Sequence, residues 1–179
     1  MRITPEYQAQ QQAMHENPKL NYGTAGAKYG DEVSQIIDLM EIDHLLDYGC
    51  GHNLSLRNAL HPERAFRYQG YDPGVPEYAS DPVPAQMVAC IDVLEHIESE
   101  CLDAVLDHLA ELTEQVGFFT IHTGPAGKVL PDGRNAHLIQ QPPEWWLPKI
   151  QERFELKGFN GRLHGFEVLV LPREWDVLP

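Results

Sequence analysis

The chain has 179 residues, enough for one domain with a sizeable core, and its length calls for no second domain. Its formal net charge of −14 disfavours extended contact with nucleic-acid phosphates, because such a surface repels a polyanion, and favours a small-molecule acceptor or a protein partner. No apolar run reaches the roughly 18 residues of a membrane span, and the start, with Gln8 and Gln10 to Gln12, lacks the apolar core of a signal peptide, so no membrane contact and a cytoplasmic location are expected.

Residues 1–30 read as a cap segment ahead of a single domain over 31–179. Tyr7 to His15 fits a polar helix ended by Asn17-Pro18, because proline disfavours helical geometry in the residue before it. Asn21 to Gly30 follows, a flexible stretch with Tyr22 and Tyr29 as aromatic surface. Val33, Ile36, Ile37 and Met40 recur at helical spacing after Asp31, a plausible cap. Leu45 and Leu46 then form a strand ending in Asp47, and Gly49 and Gly51 bracket a turn before a helix from Asn53 to Leu60. Cys50 fits that turn as a small residue, and with Cys90 and Cys101 it shows no metal-ligand spacing, so all three read as free thiols.

Arg67 to Tyr71 is a second strand, ending at Asp72. Pro73 to Pro84 then carries four prolines in twelve residues, which cannot hold a long helix. Gln86 to Ile91 reads as a buried strand, and Ser99 as the cap of a helix with Leu102, Val105, Leu106, Leu109 and Leu112 on its core face. Val116 to Ile121 is the next strand. A long connection from His122 to Gln141 holds a Pro-Asp-Gly turn at 131–133, and connections of that length are commonly functional or disordered. Trp145 and Trp146 lie on a short helix that Pro148 should end or kink, and adjacent tryptophans point different ways, so one belongs to the core. Phe154 to Phe159 and Phe166 to Leu171 flank Asn160-Gly161, a strong hairpin signal in a loop longer than two residues.

Taken in order, Asp47-Tyr48-Gly49-Cys50-Gly51, Tyr71-Asp72 and Ile91-Asp92-Val93-Leu94-Glu95-His96-Ile97 resemble the motifs of class I S-adenosylmethionine-dependent methyltransferases. The resemblance runs from about His44 to the C-terminus. It implies an α/β Rossmann-like fold: a mainly parallel sheet closed by a C-terminal antiparallel hairpin. Where the family places a helix and a further strand, the proline-rich run implies a sheet trimmed around its third strand and leaves Asp81 as only a nominal substitute for the family's adenine-contacting acid. In such enzymes the segment before the first core helix often covers the cofactor.

The resemblance also assigns cofactor contacts. Asp47, Gly49, Cys50 and Gly51 surround the methionine part of S-adenosylmethionine, with backbone N–H groups facing its carboxylate. Asp72, followed by Pro73, accepts from the ribose hydroxyls, and Asp92, Val93 and Leu94 line the other side. Methyl transfer needs a placed nucleophile relieved of its proton. Two routes are open: a histidine base, His137 or His122, or a divalent metal lowering the pKa of the acceptor hydroxyl. For the second, Asp92, Glu95 and His96 share a face if a helical turn follows the strand directly, and His137 supplies a distant ligand.

That set resembles the metal-binding pattern of small-RNA 3′-terminal 2′-O-methyltransferases and ubiquinone-pathway O-methyltransferases, with Asp in place of the first Glu. Its mixed oxygen and nitrogen ligands admit magnesium, manganese, iron or zinc. The expected activity is methylation of a hydroxyl on a small metabolite, sugar or nucleotide-like acceptor. The rivals are a metal-dependent RNA-end O-methyltransferase and a cofactor-binding module without activity. The sequence is silent on oligomeric state.

Overall fold

A computed structural model describes residues 1–173, so the last six residues of the expected 31–179 unit lie outside the described part. A six-stranded sheet carries the fold, in the spatial order β2-β1-β3-β4-β6-β5. The strands are β1 (His44–Tyr48), β2 (Arg67–Tyr71), β3 (Ala85–Ile91), β4 (Thr113–His122), β5 (Phe154–Arg162) and β6 (Gly165–Pro172). The first four pair in parallel, and β6 pairs antiparallel with both β4 and β5. The middle strands are buried almost throughout, as expected where both faces of a parallel sheet are covered.

The helices are α1 (Pro5–Glu16), α2 (Gly30–Leu39), α3 (Ser55–Ala59), α4 (Leu102–Leu112) and α5 (Pro143–Gln151). One face of the sheet packs on α4 and α5 through Leu106, Leu109, Phe119, Trp146 and Phe154. The other packs on α2 and α3 through Val33, Ile37, Leu45, Leu56 and Met87. No described helix is long and apolar enough to cross a membrane.

The sheet edge is trimmed as the proline-rich run implies: between β2 and β3 there is one short helical turn, Pro76–Tyr78, and β2 is the edge strand. Several local expectations differ. Ser99 opens a short turn of its own, Ser99–Cys101, and α4 starts at Leu102 after Cys101, so Ser99 does not cap it. Asp31 lies in the first turn of α2 and does not cap it, and α3 starts after Leu54, which has a left-handed φ of 48°, so Asn53 falls in the turn. Pro148 sits inside α5 without ending it, the last turn being held by Glu152 N–H donating to the Pro148 carbonyl at 3.0 Å.

The hairpin turns at Leu163-His164, with Arg162 opposite Gly165. Asn160 and Gly161 therefore lie within β5. Glu167 sets this longer register by accepting from Asn160 Nδ2 at 2.8 Å and from Arg162 Nε at 2.9 Å.

The segment 1–30 is built into the molecule. Tyr7 and Met14 of α1 bury against Leu130 and Ala136 of the long connection in a small core of their own. α1 is pinned from below: Thr4 donates through its N–H and its hydroxyl to Glu98 at 2.9 and 2.7 Å, Tyr7 OH donates to the His96 carbonyl at 2.7 Å, and Gln8 Nε2 to the Pro73 carbonyl at 2.8 Å.

Of the two tryptophans, Trp146 is fully buried with its Nε1 donating to the Gln141 carbonyl at 3.1 Å. Trp145 is partly exposed, lies edge-on to Trp146, and is covered by Lys149. Trp146→Ala should cost about 3–5 kcal/mol of stability in urea unfolding, and Trp145→Ala less than about 2 kcal/mol. Equal losses would mean that both rings belong to the core.

Candidate functional site

The carboxyl ends of β1, β2, β3 and β4 open into a cleft of about 550 Å³, roofed by α1, the turn at 22–28 and the connection at 125–137. Since β1 neighbours both β2 and β3, the sheet order switches direction there, where open α/β sheets bind ligands.

Gly49 and Gly51 have φ of +85° and +63°. A Cβ on Gly49 would lie 2.3 Å from Val93 Cγ2, and one on Gly51 would lie 3.1 Å from the Gly23 carbonyl oxygen. The turn therefore needs glycine twice over, for backbone angle and for close approach. Cys50 and Pro73 line the cleft with it.

Asp47 is 3% exposed and accepts from Tyr68 OH at 2.6 Å. Burial pushes its carboxyl up to about 7, against the lowering effect of the Tyr68 hydrogen bond. Because this lies above the ordinary value near 3.8, ionising Asp47 costs folded-state stability as pH rises from about 4 to about 7. Asp72 accepts from Gly51 N–H at 3.0 Å and Gly74 N–H at 2.8 Å, and His15 Nε2 lies 3.6 Å from its Oδ2. Burial raises its pKa, and the neighbouring His15 and the two amides oppose that. Asp81 is held by Arg2 and does not line the cleft.

After β3 the chain turns sharply at Asp92, whose φ is +51°. Asp92 Oδ1 accepts from Thr120 Oγ1 at 2.6 Å, and its N–H donates to that hydroxyl at 3.0 Å. The expected helical face of Asp92, Glu95 and His96 therefore does not form: a single tight turn, Leu94–His96, follows the kink. Asp92 and Val93 line the cleft, while Leu94 lies in the core.

Glu95, His96 and His137 do converge, each offering a ligand atom within 4.8 Å of the others. Glu95 is fully buried, its Oε1 accepts from His122 N–H at 2.9 Å, and its Oε2 has no partner. Burial, then Asp92, pushes its pKa well up. His96 Nδ1 is 2.8 Å from the Ala136 carbonyl and His137 Nδ1 is 2.7 Å from the Gly124 carbonyl. Such acceptors place the proton on Nδ1 of each ring and leave a lone pair on each Nε2. Burial lowers both pKa values, that of His96 to about 3, so both rings are neutral.

His122 also lines the cleft, its ring 4.9 Å from that of His137. Its Nδ1 is 3.2 Å from both the N and the O of Gly124, so either tautomer is accommodated.

Sequence reasoning missed the residues that α1 and the strands bring to this site. Gln11 and His15 line the cleft from α1, Tyr68 holds Asp47, and Thr120 holds Asp92. The one signal for the first two is their i, i+4 spacing, which puts both on the same face of the helix.

No family model and no curated protein matches the sequence. Solved structures do match. An O-methyltransferase family protein from Burkholderia thailandensis superposes with a TM-score of 0.64 at 13% identity, covering 92% of this chain and 63% of its own. A 1,6-didemethyltoxoflavin-N1-methyltransferase from the same organism, solved with bound 1,6-didemethyltoxoflavin and S-adenosylhomocysteine, gives 0.65 at 14% identity over 94% and 90%. A small RNA methyltransferase gives 0.57 at 11% identity over 82% and 25%. The chain thus spans less than two thirds of the first protein's length and a quarter of the third's. Identities this low carry the fold and nothing finer: the chain has the Rossmann-like fold of class I S-adenosylmethionine-dependent methyltransferases, with the sheet ending at β2 on its trimmed edge.

Proposed function

We propose that this protein is an S-adenosylmethionine-dependent methyltransferase acting on a hydroxyl of a small acceptor. The observation that carries the reading is the roofed cleft of about 550 Å³ at the sheet's switch point, with Asp47, the glycine turn and Asp72 on its walls. That volume lies in the range of small-ligand sites, and α1 and the connection contribute to its lining. The expectation of a cap over 1–30 and a domain from 31 belongs to the same reading, with α1 as part of the roof.

S-adenosylmethionine, when bound, supplies an electrophilic methyl group on a sulfonium. Asp72 keeps lone pairs for the ribose hydroxyls beside its two amide donors. The glycine turn would offer backbone to the methionine part, and ionised Asp47 would offer a carboxylate for its ammonium. Methyl transfer to a hydroxyl would need a group of this chain to take the hydroxyl proton.

His137 Nε2 offers one lone pair for that proton, and His122 is the next candidate. The same Nε2 also fits a metal, and the donor set favours it: a buried carboxylate oxygen without a partner beside two neutral imidazoles oriented by carbonyls. Glu95, His96 and His137 would hold a divalent ion, which supplies a lowered pKa for the acceptor hydroxyl. Asp92, engaged by Thr120, falls outside that group. The trio also favours a second reading, methylation of an RNA 3′-end. The net charge of −14 opposes it, and a labelled-methyl assay on single-stranded oligonucleotides at low salt discriminates.

Calorimetry with S-adenosylhomocysteine should show binding, weakened by about 1–3 kcal/mol in Asp72→Ala. No binding to the folded wild type would end the methyltransferase reading. The same titration across pH should lose affinity below about pH 7, where Asp47 takes its proton, by at most tenfold per unit, and Asp47→Asn should flatten the profile. Exhaustive chelation should abolish turnover on an identified acceptor while cofactor still binds, and His137→Ala should do the same. Turnover that survives chelation but not His137→Ala would assign that histidine as base.

A further inference from the structure

Two polar atoms of α1 are buried against the cleft with nothing to bond. Gln11 is 8% exposed: its Oε1 accepts from Tyr22 OH at 2.9 Å, while its Nε2 has no partner. One helical turn on, the His15 side chain is 7% exposed, with Nε2 3.6 Å from Asp72 Oδ2 and Nδ1 without a partner. A buried polar group without a partner costs about 1–3 kcal/mol, so two on one helix face, both lining one cleft, call for an occupant.

Their place says which part of an occupant they meet. A Cβ on Gly74 would lie 2.8 Å from Gln11 Cβ, so Gln11 stands directly over the backbone that follows Asp72. His15 stands beside Asp72 itself and edge-on to Tyr22, 4.9 Å between ring centroids. The two are complementary in chemistry. The Gln11 amide can only donate from Nε2. With its Nε2 proton toward Asp72, His15 is an acceptor at Nδ1, and burial keeps the ring neutral in spite of Asp72.

We infer that Gln11 and His15 bind the ribose diol of the cofactor from above, opposite Asp72, so that α1 is a working wall of the cofactor site. This rests on the methyltransferase reading and deepens it. A vicinal diol has two hydroxyl protons to give and oxygen lone pairs to fill. Asp72 accepts hydrogen bonds from the hydroxyls on its side, His15 Nδ1 accepts from the hydroxyl turned toward α1, and Gln11 Nε2–H donates to a ribose oxygen. The β2 edge, where the family carries a further helix and strand, contributes only a short turn, and α1 supplies these contacts from earlier in the chain.

The test is a binding cycle. S-adenosylhomocysteine and its 2′-deoxy and 3′-deoxy ribose analogues are titrated into wild type, Gln11→Leu, His15→Phe and the conservative His15→Gln, after melting curves confirm that each variant is folded. We expect tenfold or weaker binding of the parent ligand by Gln11→Leu and His15→Phe, partial recovery in His15→Gln, and loss of each penalty with the analogue lacking the hydroxyl concerned. Wild-type affinity in both variants would overturn the assignment and leave the methyltransferase reading standing. A penalty that persists undiminished with both deoxy analogues would also overturn it, because the residues would then act only by holding α1. Failure of the folded wild type to bind the parent ligand would instead strike the methyltransferase reading.

Discussion

Everything around the cleft answers one electrostatic constraint: three carboxylates, Asp47, Asp72 and Glu95, are buried at or just beyond the ends of three adjacent parallel strands. Desolvation raises the pKa of each, so each needs donors aimed at it. Asp47 has a tyrosine from the next strand, Asp72 has two amides of tight turns, and Glu95 has one amide from the end of β4. The sharpness of those turns is part of the solution. Gly49 and Gly51 admit a backbone path that gives the Gly49 and Cys50 N–H groups to the Tyr71 carbonyl and brings the Gly51 N–H to Asp72, and the positive φ of Asp92 swings Glu95 back to the His122 N–H.

The second constraint is the roof. A helix as polar as α1 gains little from its own propensity, and helices of its length are marginal alone. It is stable because its few apolar positions find apolar positions in the other irregular stretch of the chain, and because Thr4 and Tyr7 bond to Glu98 and His96. The motif turn at 94–96 is held from both sides: Tyr7 takes the His96 carbonyl, and Ile139 N–H takes the Glu95 carbonyl at 3.0 Å. The roof and the turn that carries Glu95 and His96 are thus one mechanical unit, and displacing α1 would release His96 as well as open the cleft.

What the sequence disclosed and what it hid divide along physical lines. The succession of strands along the chain, the glycine turn, Asp72 at the end of β2 and the trimmed edge were legible, because apolar runs, glycines and prolines act locally on the backbone. The hairpin turn was misplaced because Asn160-Gly161 is a strong local signal, overridden by Glu167 across the strand pair, which lies outside any short window. Asp92 was grouped with Glu95 and His96 on helical spacing, and the prior claim of Thr120 on its carboxylate comes from a neighbouring strand. Glu95, His96 and His137 were legible as residues, but their convergence depends on how the connection folds over α1. Gln11 and His15 were invisible as site residues because a polar helix near a terminus has no pattern that distinguishes a buried polar face from a solvated one.

The two routes to the acceptor's proton are physically exclusive at one atom. Once the Gly124 carbonyl holds a proton on His137 Nδ1, only Nε2 remains, and a lone pair committed to a cation cannot accept a proton. Glu95 shifts the balance between them. For a histidine base alone, a fully buried carboxylate with a bare oxygen within reach of two neutral imidazoles is a cost without a return, and a glutamine or leucine would fill the space more cheaply. A cation between the three would give that oxygen a partner and would oppose the upward push of burial on the Glu95 pKa. The unpaired Glu95 oxygen, more than either histidine, is therefore the observation that supports the proposed metal.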